Sequence, residues 1–341
     1  MKVRELVRAA QFGEPVDLQT VWRCTTCRAC EASCPHGIPI VDAVLKLRRE
    51  AWKVRGEPAA LSNVLWGIHQ DGNPLRLPPS QRMAWARDLN IGTTEKTDEI
   101  LLYVGCTASY DRRAQKITKA LVKVLRRAGV LFGVLGEEEP CCGEAAKMAG
   151  HRAYFEEVAR DAIRKIQATQ VKTVVTVSPH CYDVMKRDYP GLGAEFTVLH
   201  GTEYVAELIR QGRLAFTKPV PRTVTYHDPC YLSRGHGVIE PPREILKAIP
   251  KLRLVEMADH GTLTWCCGGG GGRAYQESLP NERLADVRVR QADAVRAEVL
   301  AAACPLCVTH FEDSAKVGGS TLQVMDVMEL AAQALGENPK I

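Results

Sequence analysis

Cysteines are the residues of this chain whose type and spacing could do chemistry. The chain has 341 residues and 13 cysteines, and the spacing of these cysteines divides them into three groups. The first group is the run Cys24-x-x-Cys27-x-x-Cys30-x-x-x-Cys34. The second group is Cys106, Cys141, Cys142 and Cys181, and the third is Cys230, Cys266, Cys267, Cys304 and Cys307. Thiolates are soft ligands that suit iron–sulfur clusters, zinc and copper(I). A chain that commits all its cysteines to such groups is predicted to move electrons.

The first group, followed by Pro35, matches the run with which bacterial ferredoxins hold an iron–sulfur cluster. One loop carrying Cys24, Cys27 and Cys30 can grip three corners of a cubane 4Fe–4S cluster. In two-cluster ferredoxins the cysteine before the proline ligates the other cluster. Either Cys34 closes a single cluster locally, or the fourth ligand comes from elsewhere. A zinc site or structural thiols are the alternative interpretation.

The third group offers five thiolates, which exceeds the four ligands of an ordinary zinc site. Adjacent cysteines point apart along an extended chain, so Cys266 and Cys267 can serve one site only in a tight turn or around a large cluster. The glycines at 268–272 allow positive φ angles and close backbone approach. Their amide groups are free to point at sulfides, which tunes a reduction potential. We therefore predict cofactor contacts from Gly268 and Gly269, and from the equivalent Gly143.

The second group has one cysteine fewer than the third, because Ser178 stands where the third group has Cys304. Its four thiolates could still hold a further cluster, with Ser178 or His180 assisting. Equally, this copy could serve as a scaffold or as a surface that faces the substrate.

Three residues of the third group's neighbourhood are predicted to be catalytic: Cys266, Cys267 and His227. His227 lies three residues before Cys230, where it could supply a proton near neutral pH. A hydrogen-bonding structural role for His227 is an equal alternative. His200 and Asp326 occupy equivalent places before the last helix of each copy. Asp326 is predicted to cap its helix, and His200 is therefore interpreted as structural.

An internal repeat positions the second and third groups. Cys106 and Cys230 are 124 residues apart, Cys142 and Cys267 are 125 apart, and Cys181 and Cys307 are 126 apart, which indicates duplication of a whole domain. Apolar runs predict strands at 99–105, 172–177, 196–199, 222–227, 298–303 and 322–325. Helical patterns lie at 114–128, 153–168, 203–210, 243–249, 281–297 and 327–335. This alternation predicts two α/β domains with mainly parallel sheets, whose ligands gather at the carboxyl ends of strands.

The chain before the repeats has a different character. Helices are predicted at 2–10 and 41–53 around the first cysteine group, and glycines and prolines are frequent over 56–96. We therefore divide the chain into a helical ferredoxin-like 4Fe–4S domain (1–60), a connector with short helices (61–96), a first cysteine-rich repeat (97–215) and a second one (216–341).

Composition limits the classes of function. Hydrophobic residues make up 45% of the chain and the formal net charge is +5, which is ordinary for a globular protein. The basic pairs Arg48-Arg49, Arg112-Arg113 and Arg126-Arg127 are interpreted as solvated helix faces, and no nucleic-acid partner is expected. Apolar runs are far shorter than the roughly 20 residues of a membrane helix, and residues 1–8 lack a signal-peptide pattern. We expect a cytoplasmic protein, where clustered thiols bind metal rather than form disulfides.

The paired modules with Cys-Cys-Gly turns and a closing Cys-Pro-x-Cys, preceded by ferredoxin-type cysteines, resemble the catalytic subunit of heterodisulfide reductase. The wider family includes the iron–sulfur subunits of glycolate and lactate oxidation. The resemblance covers the chain from about residue 20. It implies that Cys230, Cys266, Cys267, Cys304 and Cys307 hold a non-cubane 4Fe–4S cluster, which in heterodisulfide reductases acts on the substrate disulfide. Ser178 departs from the pattern and puts a second such cluster in doubt.

Two functions follow as expectations. In the first, the chain is an oxidoreductase subunit that relays electrons from the cubane cluster to a second cluster acting on a disulfide or related sulfur substrate. In the second, it is an electron conduit between a flavoprotein dehydrogenase and a quinone or cytochrome partner in the membrane. Either function implies further redox subunits, and a membrane-bound partner would hold the chain at the inner membrane face. A zinc-stabilised scaffold is the non-redox alternative.

Overall fold

The computed structural model describes residues 3–278 and 282–336, which form a helical N-terminal part followed by two similar α/β units. Each unit has one four-stranded sheet in which every neighbouring pair is parallel. The first sheet contains β1 (Ile100–Tyr103), β2 (Phe132–Gly133), β3 (Thr173–Thr176) and β4 (Thr197–His200). The second contains β5 (Thr223–His227), β6 (Arg253–Val255), β7 (Val299–Ala302) and β8 (Gln323–Asp326). The α/β fold class is confirmed.

The two sheets repeat one topology. Their strand orders are β2-β1-β3-β4 and β6-β5-β7-β8, so the second strand of each unit lies at an edge and the first and third lie in the centre. The central strands β1 and β7 are buried at every position, as expected for strands covered by helices on both faces. The edge strands β2 and β6 are new relative to the sequence analysis. They have only two and three residues, too few for a pattern.

Helices cover both sheets and form the N-terminal part. The N-terminal helices are α1 (Val3–Phe12), α2 (Leu18–Arg23), α3 (Ala29–Ala32), α4 (Ile40–Lys53) and α5 (Ala59–Asp71). The first unit has α6 (Cys106–Tyr110), α7 (Gln115–Arg127), α8 (Glu144–Met148), α9 (Arg152–Ala168), α10 (Pro179–Arg187) and α11 (Gly201–Arg210). The second has α12 (Cys230–His236), α13 (Glu240–Ala248), α14 (Leu284–Ala294), α15 (Pro305–Gly318) and α16 (Val327–Gln333).

The predicted long helices are present with shifted ends. The helix predicted at 281–297 is α14, which begins at Leu284, and residue 281 lies outside the described residues. Residue 2, where another helix was predicted to start, also lies outside them. Helix α5 crosses position 60, the predicted end of the ferredoxin-like domain, and the domain boundaries stay predictions.

One continuous hydrophobic core joins the two units, because their buried side chains belong to a single cluster. Helix α7 of the first unit packs on α16 of the second, and α11 packs on α13. The carboxyl ends of the two sheets also approach each other, because the ring of His180, which follows β3, stacks on the ring of Tyr231, which follows β5.

Candidate iron–sulfur sites

The five cysteines of the second repeat converge at the carboxyl ends of its central strands, and we call them the second-repeat site. Cys230 begins the helix that follows β5, and Cys304 caps the helix that follows β7. The Cys307 thiol donates to the Cys267 sulfur at 3.2 Å, and the sulfurs of Cys230 and Cys266 are 4.0 Å apart. All five residues are buried. The spacing of the sequence motif is therefore realised as one compact thiol group.

Each Cys-Cys-Gly segment forms a tight turn in which an amide group points at sulfur. The Gly268 amide donates to the Cys266 sulfur at 3.3 Å, and the Gly143 amide donates to the Cys141 sulfur at 3.4 Å. Both glycines adopt positive φ angles, +93° and +81°, which favour glycine. The Gly269 amide hydrogen-bonds to Cys267. The turn therefore lets adjacent cysteines serve one site while donors face their sulfurs.

Charge is distributed unevenly among the second-repeat thiols. Hydrogen bonds with Cys266 and Cys307 lower the pKa of Cys267 well below its usual value. Burial raises the pKa of Cys304, but hydrogen bonds from Cys307 and His180 outweigh it, and the net shift is strongly downward. The hydrogen bond with Cys266 raises the pKa of Cys230. Burial is the main cause that raises the pKa of Cys307. The site therefore combines thiolates, the form that ligates metals, with thiols that hold their protons.

The N-terminal cysteines lie against the second-repeat site. Cys24, Cys27 and Cys30 interact electrostatically with one another, and we call these three residues the N-terminal site. Cys27 packs against the buried cluster that contains Cys230 and Cys266. It hydrogen-bonds to Cys266 and interacts electrostatically with Cys230. The two sites are therefore contiguous, a relation that the sequence did not predict.

Cys34 lies on a separate turn. The backbone N–H groups of Ile38 and then His36 are the main causes that lower the pKa of its thiol, and the residue is half-exposed. The interactions of Cys24, Cys27 and Cys30 with one another define the N-terminal site, and the identity of its fourth ligand stays a prediction.

A buried arginine holds these parts together. The Arg48 guanidinium donates to the carbonyls of Cys24 (2.6 Å), Met148 (2.6 Å) and Gly271 (2.9 Å), which belong to the N-terminal part, the first repeat and the second repeat. The glycine run makes this approach possible, since a Cβ atom at Gly271 would lie 2.5 Å from the Cys24 carbonyl oxygen. Arg48 is fully buried, so its interpretation as part of a solvated face was wrong.

The first repeat brings together Cys106, Cys141, Cys142 and Cys181, and we call them the first-repeat site. The electrostatics of this site differ from those of the second-repeat site. A hydrogen bond with Cys141, together with burial, raises the pKa of Cys106 well above its usual value. The hydrogen bond with Cys141 lowers the pKa of Cys142, but the one with Cys181 and burial raise it further, and the net shift is strongly upward.

Side chains from outside the first repeat's sheet surround the first-repeat site. Arg82 of the connector donates to the Cys106 sulfur at 3.5 Å and pairs with Glu139 at 2.8 Å. Tyr275, from the second repeat, packs with Cys106 and Cys141. Neither Arg82 nor Tyr275 was found from the sequence, because a single sequence does not show which distant residues a fold brings together.

Ser178 has a structural reason for its position. Its hydroxyl accepts the Cys181 amide at 3.5 Å and caps α10. The Cys304 sulfur accepts the Cys307 amide in the same way at the start of α15. Proline follows both capping residues, as is common at the first position of a helix. The serine thus preserves the helix start of the repeat and removes one thiolate.

The histidines take different roles. His227 is fully buried, and its Nδ1 accepts a hydrogen bond from Arg288 at 3.2 Å. Burial and the Arg288 charge lower its pKa well below the usual value, so the imidazole is neutral at pH 7, and its predicted catalytic role stays a prediction. His200 caps α11, as expected of a structural residue, and Asp326 caps α16 as predicted.

The donor set fits an iron–sulfur cluster better than a single metal ion. The second-repeat site offers five soft thiolates, one more than four-coordinate zinc uses. Amide donors face its sulfurs, as in clusters whose potential is tuned by hydrogen bonds. A cavity of about 1000 Å³ adjoins both sites, and its lining includes Cys24, Cys27 and Cys267.

Comparison with known proteins decides the family. Residues 100–186 and 224–312 match the family model described as "Cysteine-rich domain". One polypeptide of the dihydromethanophenazine:CoB–CoM heterodisulfide reductase of Methanosarcina barkeri is 35% identical over 326 residues, which are 92% of this chain and 77% of that protein. The chain therefore belongs to the cysteine-rich domain family. The predicted resemblance is therefore confirmed, and iron–sulfur binding is the property that the family's cysteine motifs serve.

Longer relatives of the family also match. A probable iron–sulfur-binding oxidoreductase, FadF, of Bacillus subtilis is 38% identical over 95% of this chain and 48% of its own length. The EtfAB:quinone oxidoreductase of Syntrophomonas wolfei is 32% identical over 94% of this chain and 47% of its own length. The chain thus spans about half the length of these two relatives. Among the described residues, none of the helices is long and apolar enough to cross a bilayer.

Proposed function

We propose that this chain is an iron–sulfur oxidoreductase subunit that acts on a disulfide or related sulfur substrate. Cys24, Cys27 and Cys30 hold a cubane 4Fe–4S cluster, and the second-repeat site holds a second, non-cubane 4Fe–4S cluster. The observation that carries the proposal is the hydrogen bond of Cys27 with Cys266, beside the buried cluster that also contains Cys230. Because the two thiol sets are contiguous, electrons pass between them without an intervening carrier.

The cavity beside Cys267 supports a small-molecule substrate. Its volume of about 1000 Å³ lies at the upper end of the range for ligand pockets. Its lining includes Cys267, whose pKa is lowered well below the usual value by hydrogen bonds with Cys266 and Cys307. Reduction of a disulfide takes two electrons and two protons, breaks the S–S bond and releases two thiols. A redox partner subunit would provide the two electrons, the protons would come from solvent, and the clusters held by these cysteines would pass the electrons one at a time. The residues that line the cavity would hold the substrate beside Cys267.

Anaerobic reconstitution with iron and sulfide, followed by EPR with and without added disulfides, tests this function. Reduced protein is expected to consume a disulfide and release two thiols per two electrons, and the cluster signals are expected to change when the disulfide binds. Abundant zinc with negligible acid-labile sulfide would overturn both the clusters and the activity.

An electron conduit without its own substrate is the second candidate, favoured by the name of one relative, EtfAB:quinone oxidoreductase. In that function a flavoprotein and a quinone or cytochrome subunit are the partners, and the partner provides contact with the inner face of the membrane. Failure of a broad disulfide panel together with rapid exchange with a flavoprotein or a quinone analogue would favour the conduit.

A further inference from the structure

His180 belongs to the first repeat but lies against the second-repeat site. Its Nδ1 is 3.0 Å from Oε1 of Glu144, and its ring interacts with the Cys304 thiol. The ring stacks on Tyr231 with 4.5 Å between the centroids. Both Cys304 and Tyr231 are second-repeat residues, so the histidine crosses the interface between the repeats.

A buried network fixes the orientation of this histidine. The Tyr231 hydroxyl donates to Oε1 of Glu144 at 3.1 Å, and the Thr26 hydroxyl lies 2.7 Å from the Tyr231 hydroxyl. His180, Glu144, Tyr231 and Thr26 are all buried. Three parts of the chain therefore supply the network, since Thr26 lies in the N-terminal cysteine loop. The ring has little freedom to turn away from Cys304.

The neighbours of the ring determine what its nitrogens do. The Glu144 carboxylate and a cysteine thiolate that ligates a cluster both accept hydrogen bonds and cannot donate them. The nitrogen that faces Cys304 therefore donates to its sulfur. Hydrogen bonds to cluster sulfurs are one of the means by which proteins set a reduction potential, because they stabilise the more negative, reduced state.

The internal repeat shows that this donor is specific to one site. The duplication aligns Ser178 with Cys304, and it aligns His180 with Leu306. Leucine has no polar group, so the second repeat cannot return an equivalent hydrogen bond to the first-repeat site. The first repeat thus has Ser178 and His180 at the two positions where the second repeat has Cys304 and Leu306.

We propose that His180 is a positioning residue of the second-repeat site, which donates a hydrogen bond across the repeat interface to the Cys304 sulfur and raises the reduction potential of the cluster held there. This inference rests on the proposed function. It assigns the first repeat a part in the chemistry of the second, whether or not the first-repeat site holds a cluster of its own.

A redox titration of the reconstituted full chain at one pH, followed by EPR, tests the inference. His180→Phe keeps a ring beside Tyr231 and removes the donor, His180→Leu introduces the residue of the second repeat, and His180→Gln keeps an N–H donor. The second-repeat signal is the one lost in Cys267→Ala. At the wild-type midpoint, the first two variants are expected to show about a tenfold lower ratio of reduced to oxidised cluster, equivalent to about 59 mV for one electron.

The controls separate a hydrogen bond from packing. His180→Gln is expected to show a clearly smaller shift, and His151→Leu, at an exposed histidine of the same repeat, is expected to show none. A wild-type midpoint in His180→Phe or His180→Leu at full iron content would overturn the inference and leave the proposed function standing. Equal shifts of the midpoint potential in His180→Gln, His180→Phe and His180→Leu would also overturn it, because the role of His180 would then be structural. Loss of iron from both His180→Phe and His180→Leu would overturn it for the same reason. If reconstituted wild-type protein contained neither iron nor sulfide, the proposed function itself would be overturned.

Discussion

The two cysteine-rich repeats have the same backbone plan and different thiol sites. Both sheets have the same strand order, both Cys-Cys-Gly turns direct a glycine amide at a cysteine sulfur, and both last helices begin with a capping box. The second-repeat site adjoins a large cavity and contains three thiols whose pKa is lowered and two, Cys230 and Cys307, whose pKa is raised. The four thiols of the first-repeat site all have raised pKa values.

The difference arises from what covers each site. Tyr275 of the second repeat and Val64 and Ile68 of α5 pack over the first-repeat site. The second-repeat site instead meets the N-terminal cysteines and His180 of the first repeat. Duplication copied the strands and turns, whereas the environment of each site comes from other parts of the chain. Similar motifs within one protein therefore need not have the same chemistry.

The largest expected effect comes from the ligands themselves. Cys267→Ala is expected to abolish disulfide consumption and the second-repeat EPR signal, a loss beyond the roughly 10–100-fold that substitutions around a metal site cost. Cys142→Ala, the matched change in the first repeat, is expected to retain both, because the cavity reaches Cys267 and the first-repeat site is covered. Iron analysis and thiol release measure the two outcomes. Equal losses in the two variants would contradict the division of roles.

Removing the arginine that joins the three parts is expected to have the next largest effect. Arg48→Met leaves the buried carbonyls of Cys24, Met148 and Gly271 without their donor, and each unsatisfied buried group costs about 1–3 kcal/mol. We expect the free energy of unfolding to fall by about 3 kcal/mol or more in urea titrations. The N-terminal part should also become sensitive to limited proteolysis. Arg49→Met, at the exposed neighbour, is the control, and similar behaviour of the two variants would refute this role.

The helix cap of the first repeat, His200, is expected to respond to pH. Burial lowers the pKa of His200 to about 4 from an ordinary 6.5, so the folded state favours the neutral ring. Its contribution to stability is complete above pH 6.5 and is lost as the pH falls to about 4. The loss amounts to about 3 kcal/mol at 1.36 kcal/mol per pKa unit. Urea unfolding from about pH 4 to 7 should show a loss of stability that is larger in wild type than in His200→Asn by this amount, because other buried histidines such as His227 contribute to both curves. Parallel curves would contradict the prediction.

The smallest expected effect is a difference in stability between glycine substitutions in the two Cys-Cys-Gly turns. Alanine at a positive φ angle costs roughly 1–2 kcal/mol, and this cost is expected in both Gly268→Ala and Gly143→Ala. At Gly143 the added Cβ would also lie 2.9 Å from the Phe155 ring, whereas at Gly268 its nearest contact is an ordinary 3.5 Å. Thermal unfolding should therefore rank Gly143→Ala as the less stable variant. The reverse ranking would show that the turns differ in a way that their geometry does not explain.

Much of the fold followed from local pattern. The buried apolar runs that became β1, β3, β5 and β7 are long enough to be recognised, and the spacing of the cysteines revealed the repeat. The edge strands β2 and β6 escaped because so few residues form them. The short helices that begin at Cys106 and Cys230 escaped because their first residues were interpreted only as ligands.

The sequence by itself determined the ligand types, their grouping and the duplicated α/β plan, because these depend on residue identity and on distances along the chain. The tertiary structure alone decided that Cys27 meets Cys266, that His180 faces Cys304 and that Arg48 is buried. Contacts between residues far apart in sequence depend on how whole elements pack, and a local pattern carries no record of its distant neighbours. The charge and cover of each thiol site therefore became visible only in the folded chain.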